Sequence, residues 1–390
     1  MTRLLRPTWF EIDLDAAVAN LETVRRLVGS GRKIFAVVKA DAYGFGSLEL
    51  GRAFADHGAD ALAVADLADG VRLRRSGLTL PILVYPNALP EAADDVIDAR
   101  LIPTLTDLEA AGAYDDAVAR TGSGWPLDVF VKVDVGLERL GVPADHAVKL
   151  LLAIRDRPRL RLAGLCTHLH LPKGVDPAYI DWQFSRFTAV LETLARHGFD
   201  VPIRLAASSP LVLGYPSTYL NAVDPGRMLY GFRPPDIPTP APLRPVFQAL
   251  KSRLIEVKDL TPREQFAAAA PFPIGASMRL GVIPVGVGDG FHRLNVGSVL
   301  VRGRRVPILA RPSLEHTRLD LTMVPEAIVG DEVVLIGSQG RDAITPDDVA
   351  ERHDLDPLAL VLGVGPRVAR VYLGGDRASR ADSVGRADRA

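Results

Sequence analysis

Short apolar runs alternate with longer amphipathic stretches between residues 33 and 231, and this alternation constrains the fold more than any other feature. The longer stretches, such as SLELGRAFADHG and HAVKLLLAIRDR, have apolar residues at three- and four-residue intervals, which is typical of helices. The strand candidates are IFAVVKA (34–40), ALAVAD (61–66), PILVYP (81–86), LIPTLT (101–106), LDVFVKVD (127–134), LAGLCTH (162–168), PIRLAAS (202–208) and a last run before Tyr230. About eight β-α units in about 200 residues predict an α/β fold, a parallel (β/α)8 TIM barrel.

A doubly wound parallel sheet is the alternative fold. Such sheets often carry a G-x-G-x-x-G string after the first strand, or a G-x-x-x-x-G-K-[ST] string, where backbone amides bind phosphates. No G-x-G-x-x-G follows the first predicted strand, and the second string is absent from the chain. The barrel is therefore favoured.

The pattern changes near residue 235, where PPDIPTPAPLRP forms a proline-rich connection. Beyond it, LKSRLIEVKDL, RLGVIPVGVGDGF, VLVRGRRVPILA and GDEVVLIGSQG indicate strands separated by Gly, Asp and Arg turns. We expect a barrel at 1–235, a mostly antiparallel C-terminal β domain at 236–375 and a disordered tail at 376–390. About the first 12 residues are expected to pair with the β domain.

Charge and cysteine content exclude several classes of partner. The 46 basic and 47 acidic residues leave a net charge of −1, so no global field attracts nucleic acid or an anionic membrane. A single cysteine excludes an intrachain disulfide and an all-cysteine metal site. The N-terminus reaches charged residues before an apolar run long enough for a signal peptide, and no run approaches ~18 apolar residues. We expect a soluble cytoplasmic protein.

Lys39 follows the first predicted strand, in AVVKADAYGFG. Barrel active sites lie at the carboxyl ends of the strands, and a partly desolvated lysine there has a lowered pKa that suits Schiff-base formation. A lysine that merely extends out of the barrel mouth is the structural alternative. Only seven of the 46 basic residues are lysines, so a lysine in an apolar run needs a reason.

The string AVVKADAYGFG resembles the signature of alanine racemases, pyridoxal 5'-phosphate (PLP) enzymes built from a (β/α)8 barrel and a C-terminal β domain. Further strings follow in family order and spacing: PTWFEIDLDAAVANL near the start, KVDVGLERLG (132–141), THLH (167–170), AASS (206–209), DPGRMLYG (224–231), KSRLIEVK (251–258), VIPVGVGDGF (282–291) and ARPSLEHTRLDLT (310–322). The resemblance implies PLP as cofactor, a small amino-acid substrate and a homodimer whose active site is completed by the partner.

Five positions match the family's cofactor contacts. Lys39 matches the lysine that holds PLP as a Schiff base and moves the Cα proton on one face. Tyr43 matches a tyrosine that reaches the phosphate. Ser209 and the backbone amides of Gly226 and Arg227 match the rest of the phosphate site, where fixed donors suit a dianion.

Three further positions match residues beside the cofactor ring. His168 matches a histidine packed near the ring, and Arg139 an arginine that bonds the ring oxygen and helps to hold the substrate carboxylate. Lys132 matches a lysine that is carbamylated in many members, where it orients that arginine. An ordinary ion pair with Asp134 or Glu138 is the alternative for Lys132.

Two nearby residues have simpler interpretations. His170 has no clear family counterpart, and we expect a structural histidine. Cys166 is expected to be a small buried strand residue.

The chain departs from the family at three tyrosines of the partner-facing half. The tyrosine that acts as second base should fall close to Ala268, where the sequence reads FAAAAPFPIG. Two other family tyrosines fall on Val287 and Pro366, and the only tyrosine beyond residue 231 is Tyr372. Loss of the second base argues against efficient racemisation, and smaller side chains predict room for a substrate larger than alanine.

A second departure lies at Asp224, where the family has an arginine beside the pyridine nitrogen. A carboxylate at that position would stabilise a protonated ring and make PLP a stronger electron sink. Two alternatives remain: Arg227 folds back to replace the guanidinium, or Asp224 caps a helix beside a solvent-facing Arg227.

These residues predict a PLP enzyme acting at Cα of an amino acid, and not an ordinary alanine racemase. A racemase or epimerase with a substitute base is one alternative. His316 is preferred to His292 for that base, because its neighbour Leu314 matches a residue that touches the substrate carboxylate through its backbone. A PLP decarboxylase or lyase and a catalytically silent PLP-binding homologue are the others, with a PLP-free sugar- or phosphate-binding barrel as a separate class. No C-terminal His-x-Cys pair is present, so no metal is predicted.

Overall fold

The computed structural model describes residues 4–122, 124–172, 174, 176, 178–233, 237, 241–261, 272–274 and 278–375. The chain divides into two compact units. The first comprises Ala16–Ala42 and Gly46–Arg244, and the second comprises the residues up to Asp15, Tyr43–Phe45 and the residues from Pro245 onward.

The first part of the chain alternates strands and helices as predicted. In chain order the strands are β1 (Thr8–Asp13), β2 (Lys33–Val37), β3 (Ala61–Val64), β4 (Ile82–Val84), β5 (Ile102–Leu105), β6 (Leu127–Asp134), β7 (Val142–Pro143), β8 (Leu160–Cys166), β9 (Ile203–Ser208) and β10 (Ala222–Asp224). The helical segments are α1 (Leu14–Val28), the short turn α2 (Lys39–Tyr43), α3 (Ser47–Asp56), α4 (Leu67–Arg75), α5 (Ala93–Asp98), α6 (Leu108–Thr121), α7 (Ala144–Arg155), α8 (Ala178–Arg196) and α9 (Ser209–Gly214).

The first unit is a closed parallel barrel. Its eight strands pair in the order β2-β3-β4-β5-β6-β8-β9-β10, and β10 pairs with β2 to complete the ring. All of these pairs are parallel, and the two-residue strand β7 pairs with β6 outside the ring. The predicted (β/α)8 barrel is therefore confirmed.

Large and small side chains are matched inside the barrel. The ring of Phe130 on β6 lies edge-on to Phe35, with ring centroids 5.8 Å apart. A Cβ atom at Gly164 on neighbouring β8 would lie 2.4 Å from the Phe130 ring. Since protein interiors have little free volume, the absence of a side chain at Gly164 is what lets Phe130 fill the barrel.

The second unit is built on one large sheet. Its strands are β11 (Phe247–Arg253), β12 (Glu256–Leu260), β13 (Met278–Ile283), β14 (Ser298–Val301), β15 (Arg304–Leu309), β16 (Thr317–Asp320), β17 (Glu332–Gln339), β18 (Asp342–Ile344) and β19 (Ala369–Leu373), with helices α10 (Pro346–His353) and α11 (Pro357–Leu362). The order is β12-β13-β16-β15-β14-β17-β11-β1-β19, and β18 pairs with β17. Only the pair of β1 and β19 is parallel among the strands described, so the predicted mostly antiparallel β domain is confirmed.

The N-terminal strand belongs to this second sheet. Strand β1 pairs antiparallel with β11, with Thr8 opposite Ser252, and parallel with β19. Phe10 on β1 is fully buried between the rings of Phe45 and Phe247, at centroid distances of 5.6 and 4.8 Å. The expected disordered tail at 376–390 lies outside the described residues. In the part of the chain that the structure describes, no helix is both long and apolar enough to cross a membrane.

Candidate active site

Lys39 and Asp224 lie on neighbouring strands at the carboxyl end of the barrel. Strand β2 ends at Val37, two residues before Lys39, and β10 ends at Asp224. The Val37 N–H donates to the Pro225 carbonyl oxygen at 3.1 Å, which extends the pairing of the two strands to this end. The closure of the barrel therefore places an amine and a carboxyl group on adjacent strands.

The backbone after Lys39 is a left-handed turn. Residues 40–43 have φ between +52° and +57°, a conformation that costs L residues roughly 1–2 kcal/mol each. The Ala42 N–H donates to Val38 O at 2.8 Å, and the Asp41 carboxylate accepts the Ser47 N–H and hydroxyl, both at 2.9 Å. Strain held by such bonds is common beside functional groups, and here it begins at the residue after Lys39.

The surroundings of Lys39 favour its neutral amine. Burial lowers the pKa of Lys39, and the positive charges of Arg139 and Lys132 act in the same direction. The Asp224 carboxylate opposes these effects without cancelling them. A lysine with a lowered pKa supplies the unprotonated amine that Schiff-base formation needs.

Asp224 is buried and uses only one of its two oxygens. The Tyr85 hydroxyl donates to Asp224 Oδ2 at 2.6 Å, whereas Oδ1 is buried with no hydrogen-bond partner among the residues described. Burial raises the pKa of Asp224 to about 6, although the Tyr85 hydrogen bond and the charges of Lys39 and Lys132 lower it. The helix-cap alternative for Asp224 is wrong, because Gly226 precedes the 3-10 turn Arg227–Tyr230 and no side chain caps it.

Tyr85 is a site residue that the sequence interpretation overlooked. It directly follows β4, and its N–H donates to Val64 O at 2.9 Å. The centroid of its ring lies 6.0 Å from Lys39 Nζ and 5.9 Å from Lys132 Nζ, within the range of cation–π attraction. A polar aromatic residue at the carboxyl end of the run PILVYP was the available signal.

Lys132 is buried on β6 and does not form the ordinary ion pair considered for it. Among the described residues, its amine has no ion pair with Asp134 or Glu138. The Asp134 carboxylate instead accepts backbone N–H groups, and those of Gly136 and Arg139 lie at 3.0 Å. The ion-pair interpretation is therefore wrong, since local amides already satisfy Asp134.

Asp134 organises the loop that carries Arg139. Its two oxygens accept N–H groups from four consecutive residues, 136–139, at 3.0 to 3.2 Å. Burial opposes ionisation, but these four donors outweigh it and lower the pKa of Asp134. The Arg139 side chain is exposed, and its charge is close enough to lower the pKa values of Lys39 and His168.

His168 is held in its neutral form at the end of β8. Burial and then the positive charges of Lys132, Lys39, Arg139 and His170 lower the pKa of His168 to about 3. A neutral imidazole adds no charge to a site that already contains several cations. The adjacent Cys166 is a free buried thiol, and burial raises its pKa to about 12, so it is not a nucleophile at neutral pH.

Gln183 of α8 fixes the main chain next to His168. Its Oε1 accepts the His170 N–H at 2.8 Å, and its Nε2 donates to His170 O at 2.8 Å. On the other side, the Thr167 hydroxyl donates to Val133 O at 2.8 Å. His170 itself is exposed, and its part in this arrangement is through its backbone.

Ser209 and the loop after β10 form a buried group of donors. The Ser209 hydroxyl oxygen accepts the Gly226 N–H at 2.8 Å and the Met228 N–H at 3.2 Å, and Ser209 is 2% exposed. The sequence interpretation named the amides of Gly226 and Arg227, so Met228 is an addition. Hydroxyl and amide donors collected at one point suit an anion such as a phosphate.

The remaining predicted residues lie in the second unit. Tyr43 is buried there, whereas His292, His316 and Leu314 are exposed. The loop of Leu314 and His316 is tied to the G-D-G string, because the Gly288 N–H donates to Leu314 O at 2.9 Å.

Positions that replace the family tyrosines have different environments. Val287 is 41% exposed and Pro366 is exposed, while Ala268 lies outside the described residues. Tyr372 donates its hydroxyl to Phe45 O at 3.0 Å, so the single tyrosine of this region already has a structural partner.

A (β/α)8 barrel with a buried lysine after its first strand, a buried carboxyl group beside it and an antiparallel β domain is the arrangement of the barrel-type PLP enzymes. The family model "Alanine racemase, N-terminal domain" matches residues 12–234, and "Alanine racemase, C-terminal domain" matches residues 247–372. The chain belongs to the alanine racemase family, whose members are PLP-dependent enzymes.

Individual relatives agree with this assignment over almost the whole chain. The alanine racemase of Halothermothrix orenii is 35% identical over 373 residues, covering 95% of this chain and 98% of that protein. The crystal structure of alanine racemase from Clostridium difficile 630 has a TM-score of 0.86 at 28% identity, covering 95% of this chain and 97% of that one. That of Streptomyces coelicolor has a TM-score of 0.81 at 30% identity, covering 95% and 98%.

Proposed function

We propose that this chain is a PLP-dependent enzyme that acts at Cα of an amino acid, and that it is not an ordinary alanine racemase. Lys39 is the residue to which the cofactor is attached. The observation that carries the proposal is the buried, unpartnered Oδ1 of Asp224 beside the low-pKa amine of Lys39. A buried polar atom without a partner is costly, and a bound donor would relieve that cost.

The residues of the barrel suit each part of PLP. Ser209 and the loop amides at Gly226 and Met228 suit the phosphate, and Asp224 Oδ1 suits a ring nitrogen that carries a proton. The neutral His168 suits packing against the ring. Tyr43, Arg227 and Arg139 keep the roles that family resemblance implies: phosphate contact for the first two, and the ring oxygen and substrate carboxylate for Arg139.

The cofactor, when bound, supplies an electron sink for the bond broken at Cα. Lys39, with its lowered pKa, takes and returns the Cα proton on one face of the substrate. Asp224 holds a proton at the ring nitrogen, which strengthens the sink compared with an arginine at that position. Lys132, whether free or carbamylated, supports Arg139, which orients the carboxylate of the substrate.

The missing second base argues against ordinary alanine racemisation. The sequence contains no tyrosine near Ala268, and the hydroxyl of Tyr372 is engaged by Phe45 O. Chemistry on one face, such as decarboxylation, elimination or exchange of a Cα hydrogen, needs no such base. A catalytically silent PLP-binding homologue is the remaining outcome.

A racemase or epimerase with a substitute base is a second candidate. His316 is exposed, and its N–H and carbonyl oxygen both bond Ser313, which holds it on the loop attached to Gly288. Its neighbour Leu314 is 68% exposed, which leaves this loop accessible to a partner subunit. We propose a homodimer in which this loop completes the site, with Val287 and Pro366 leaving room for a side chain larger than a methyl group.

Incubation of PLP-loaded protein with a panel of D- and L-amino acids in deuterated water tests the function. We expect deuterium at Cα in only one enantiomer, or loss of CO₂, read by mass spectrometry and chiral chromatography. Rapid interconversion of L- and D-alanine would overturn the proposal. Loss of two-face exchange in His316→Ala, with His292→Ala unchanged, would instead support the second candidate.

A further inference from the structure

Tyr85 reaches Asp224 across the mouth of the barrel. It follows β4, which is separated from β10 by β2 and β3 in the ring of strands. Its hydroxyl nevertheless donates to Asp224 Oδ2 at 2.6 Å, between residues 139 positions apart in the sequence. A hydrogen bond from a phenol to a carboxylate at this distance belongs to the short, charge-assisted class.

This hydrogen bond makes the two oxygens of Asp224 unequal. Oδ2 is occupied, and Oδ1 is buried without a partner among the residues described. Asp224 is 7% exposed, so water does not readily replace a missing donor at Oδ1. Any group that binds Asp224 is therefore directed to Oδ1.

The surrounding charges strengthen the Tyr85 donor. Lys39 Nζ and Lys132 Nζ lie 6.0 and 5.9 Å from the centroid of the phenol ring. Nearby cations favour electron density on the phenol oxygen and make its proton a better donor. Among the influences that keep Asp224 ionised despite its burial, the Tyr85 hydrogen bond is the largest, ahead of the charges of both lysines.

We propose that Tyr85 is a positioning residue, which fixes the Asp224 carboxylate so that Oδ1 alone is presented to the ring nitrogen of PLP and keeps that nitrogen protonated. This inference deepens the proposed function and rests on its placement of the ring beside Asp224. It makes Tyr85 and Asp224 a pair, in which the phenol acts on the cofactor through the carboxylate. The pair would set the electron sink without touching the substrate.

The test measures the protonation of the ring nitrogen rather than turnover. Holoenzyme is prepared with PLP labelled with ¹⁵N in the ring, and its NMR signal is compared in wild type, Tyr85→Phe and Asp224→Asn. We expect a protonated-type signal in wild type and a displacement toward the unprotonated position in both variants. Tyr219→Phe is the matched control, because it removes a buried phenol oxygen that donates to Val212 O in the same barrel.

A binding measurement on the same proteins supplies a second readout. PLP is compared with its 1-deaza analogue, in which C–H replaces the ring nitrogen. We expect Tyr85→Phe to weaken PLP binding by about tenfold relative to the analogue, the size of one charge-assisted hydrogen bond. Should Tyr85→Phe not fold, Tyr85→His keeps an N–H donor at this position and should retain part of the wild-type preference for PLP.

The outcomes separate the inference from the function on which it rests. If Asp224→Asn displaces the ¹⁵N signal and Tyr85→Phe leaves it unchanged, the role of Tyr85 is overturned and the proposed function stands. If neither variant displaces it, Asp224 is not the ring-nitrogen partner and both fail. An equal loss of PLP and analogue binding in Tyr85→Phe would show a merely structural tyrosine and would also overturn the inference.

Discussion

The hydroxyl of Tyr372 lies 3.0 Å from the carbonyl oxygen of Phe45 and donates to it. Tyr372 is on β19, whose parallel pairing with β1 places Tyr372 opposite Ile12. This tyrosine is therefore a support for the turn that contains Phe45. It is not a free hydroxyl available for proton transfer.

Tyr372→Phe should lower the free energy of unfolding without changing chemistry at Cα. The lost hydrogen bond is worth about 1 kcal/mol, because a buried carbonyl loses its donor. Urea unfolding measures the stability, and deuterium incorporation from solvent measures the chemistry. A loss of exchange greater than the loss of folded protein would show that Tyr372 is the second base.

Lys39→Ala should abolish covalent attachment of PLP and slow hydrogen exchange at Cα by about 10²–10⁴-fold, the usual contribution of a positioned acid or base. Borohydride reduction followed by peptide mass spectrometry reports the attachment. Lys33→Ala is the matched control, since Lys33 lies at the opposite end of the same strand and is exposed. If label appeared at Lys132 in wild type, the assignment of Lys39 would be wrong.

Asp224 should make the PLP-free protein less stable as pH rises from about 4 to about 6. Burial raises its pKa from 3.8 to about 6 in the folded chain, so in this window the native state binds a proton that the unfolded state has released. A difference of this size between the folded and unfolded pKa values corresponds to roughly 3 kcal/mol of stability, lost once the pH exceeds the folded value. Unfolding of wild type and Asp224→Asn across this window measures the difference.

His168 acts in the opposite direction and provides the control for that experiment. Its pKa is lowered to about 3, so between about 3 and its ordinary value of 6.5 the unfolded state binds the extra proton and stability rises with pH. His168→Gln should remove this rise and leave the Asp224 dependence in place. Identical pH profiles for wild type and Asp224→Asn would contradict the assignment of the raised pKa to Asp224.

Gln183→Leu should impair exchange at Cα through the position of His168. Its amide bonds both the N–H and the carbonyl oxygen of His170, and loss of these bonds frees the end of the loop. We expect about tenfold slower exchange and about 1–3 kcal/mol lower stability. Gln248→Leu, which removes a single exposed hydrogen bond to Pro245 O, should do neither.

Stability loss in Gln183→Leu with an unchanged exchange rate per folded molecule would mean that the glutamine has a structural role alone. Gln183→Glu sharpens the comparison. It keeps the acceptor for the His170 N–H but cannot donate to the His170 carbonyl oxygen.

Much of the fold was predictable because its signals are local. The run LDVFVKVD coincides with β6, Leu127–Asp134, because burial on both faces of a parallel strand requires a nearly continuous apolar run. Lys39 was found in the same way, since position at the end of a strand is a local property. The short strand β7 was missed because two residues carry no periodicity.

The partners of the site residues were less predictable. Asp134 looked available to Lys132 in sequence, yet four amides within five residues take its oxygens. Tyr85 was overlooked because nothing around PILVYP indicates a carboxylate 139 residues further on.

The sequence by itself determined the succession of strands and helices, the membership of the family, the lysine after the first strand and the absence of a second-base tyrosine near Ala268. These depend on residue identity and on spacing along the chain. Only the tertiary structure decided that Asp224 is buried with one oxygen held by Tyr85 and the other unpartnered, and that Lys39 has a lowered pKa. The reason is physical: desolvation and hydrogen bonding depend on what surrounds a group in space, and barrel closure brings those surroundings together from distant strands.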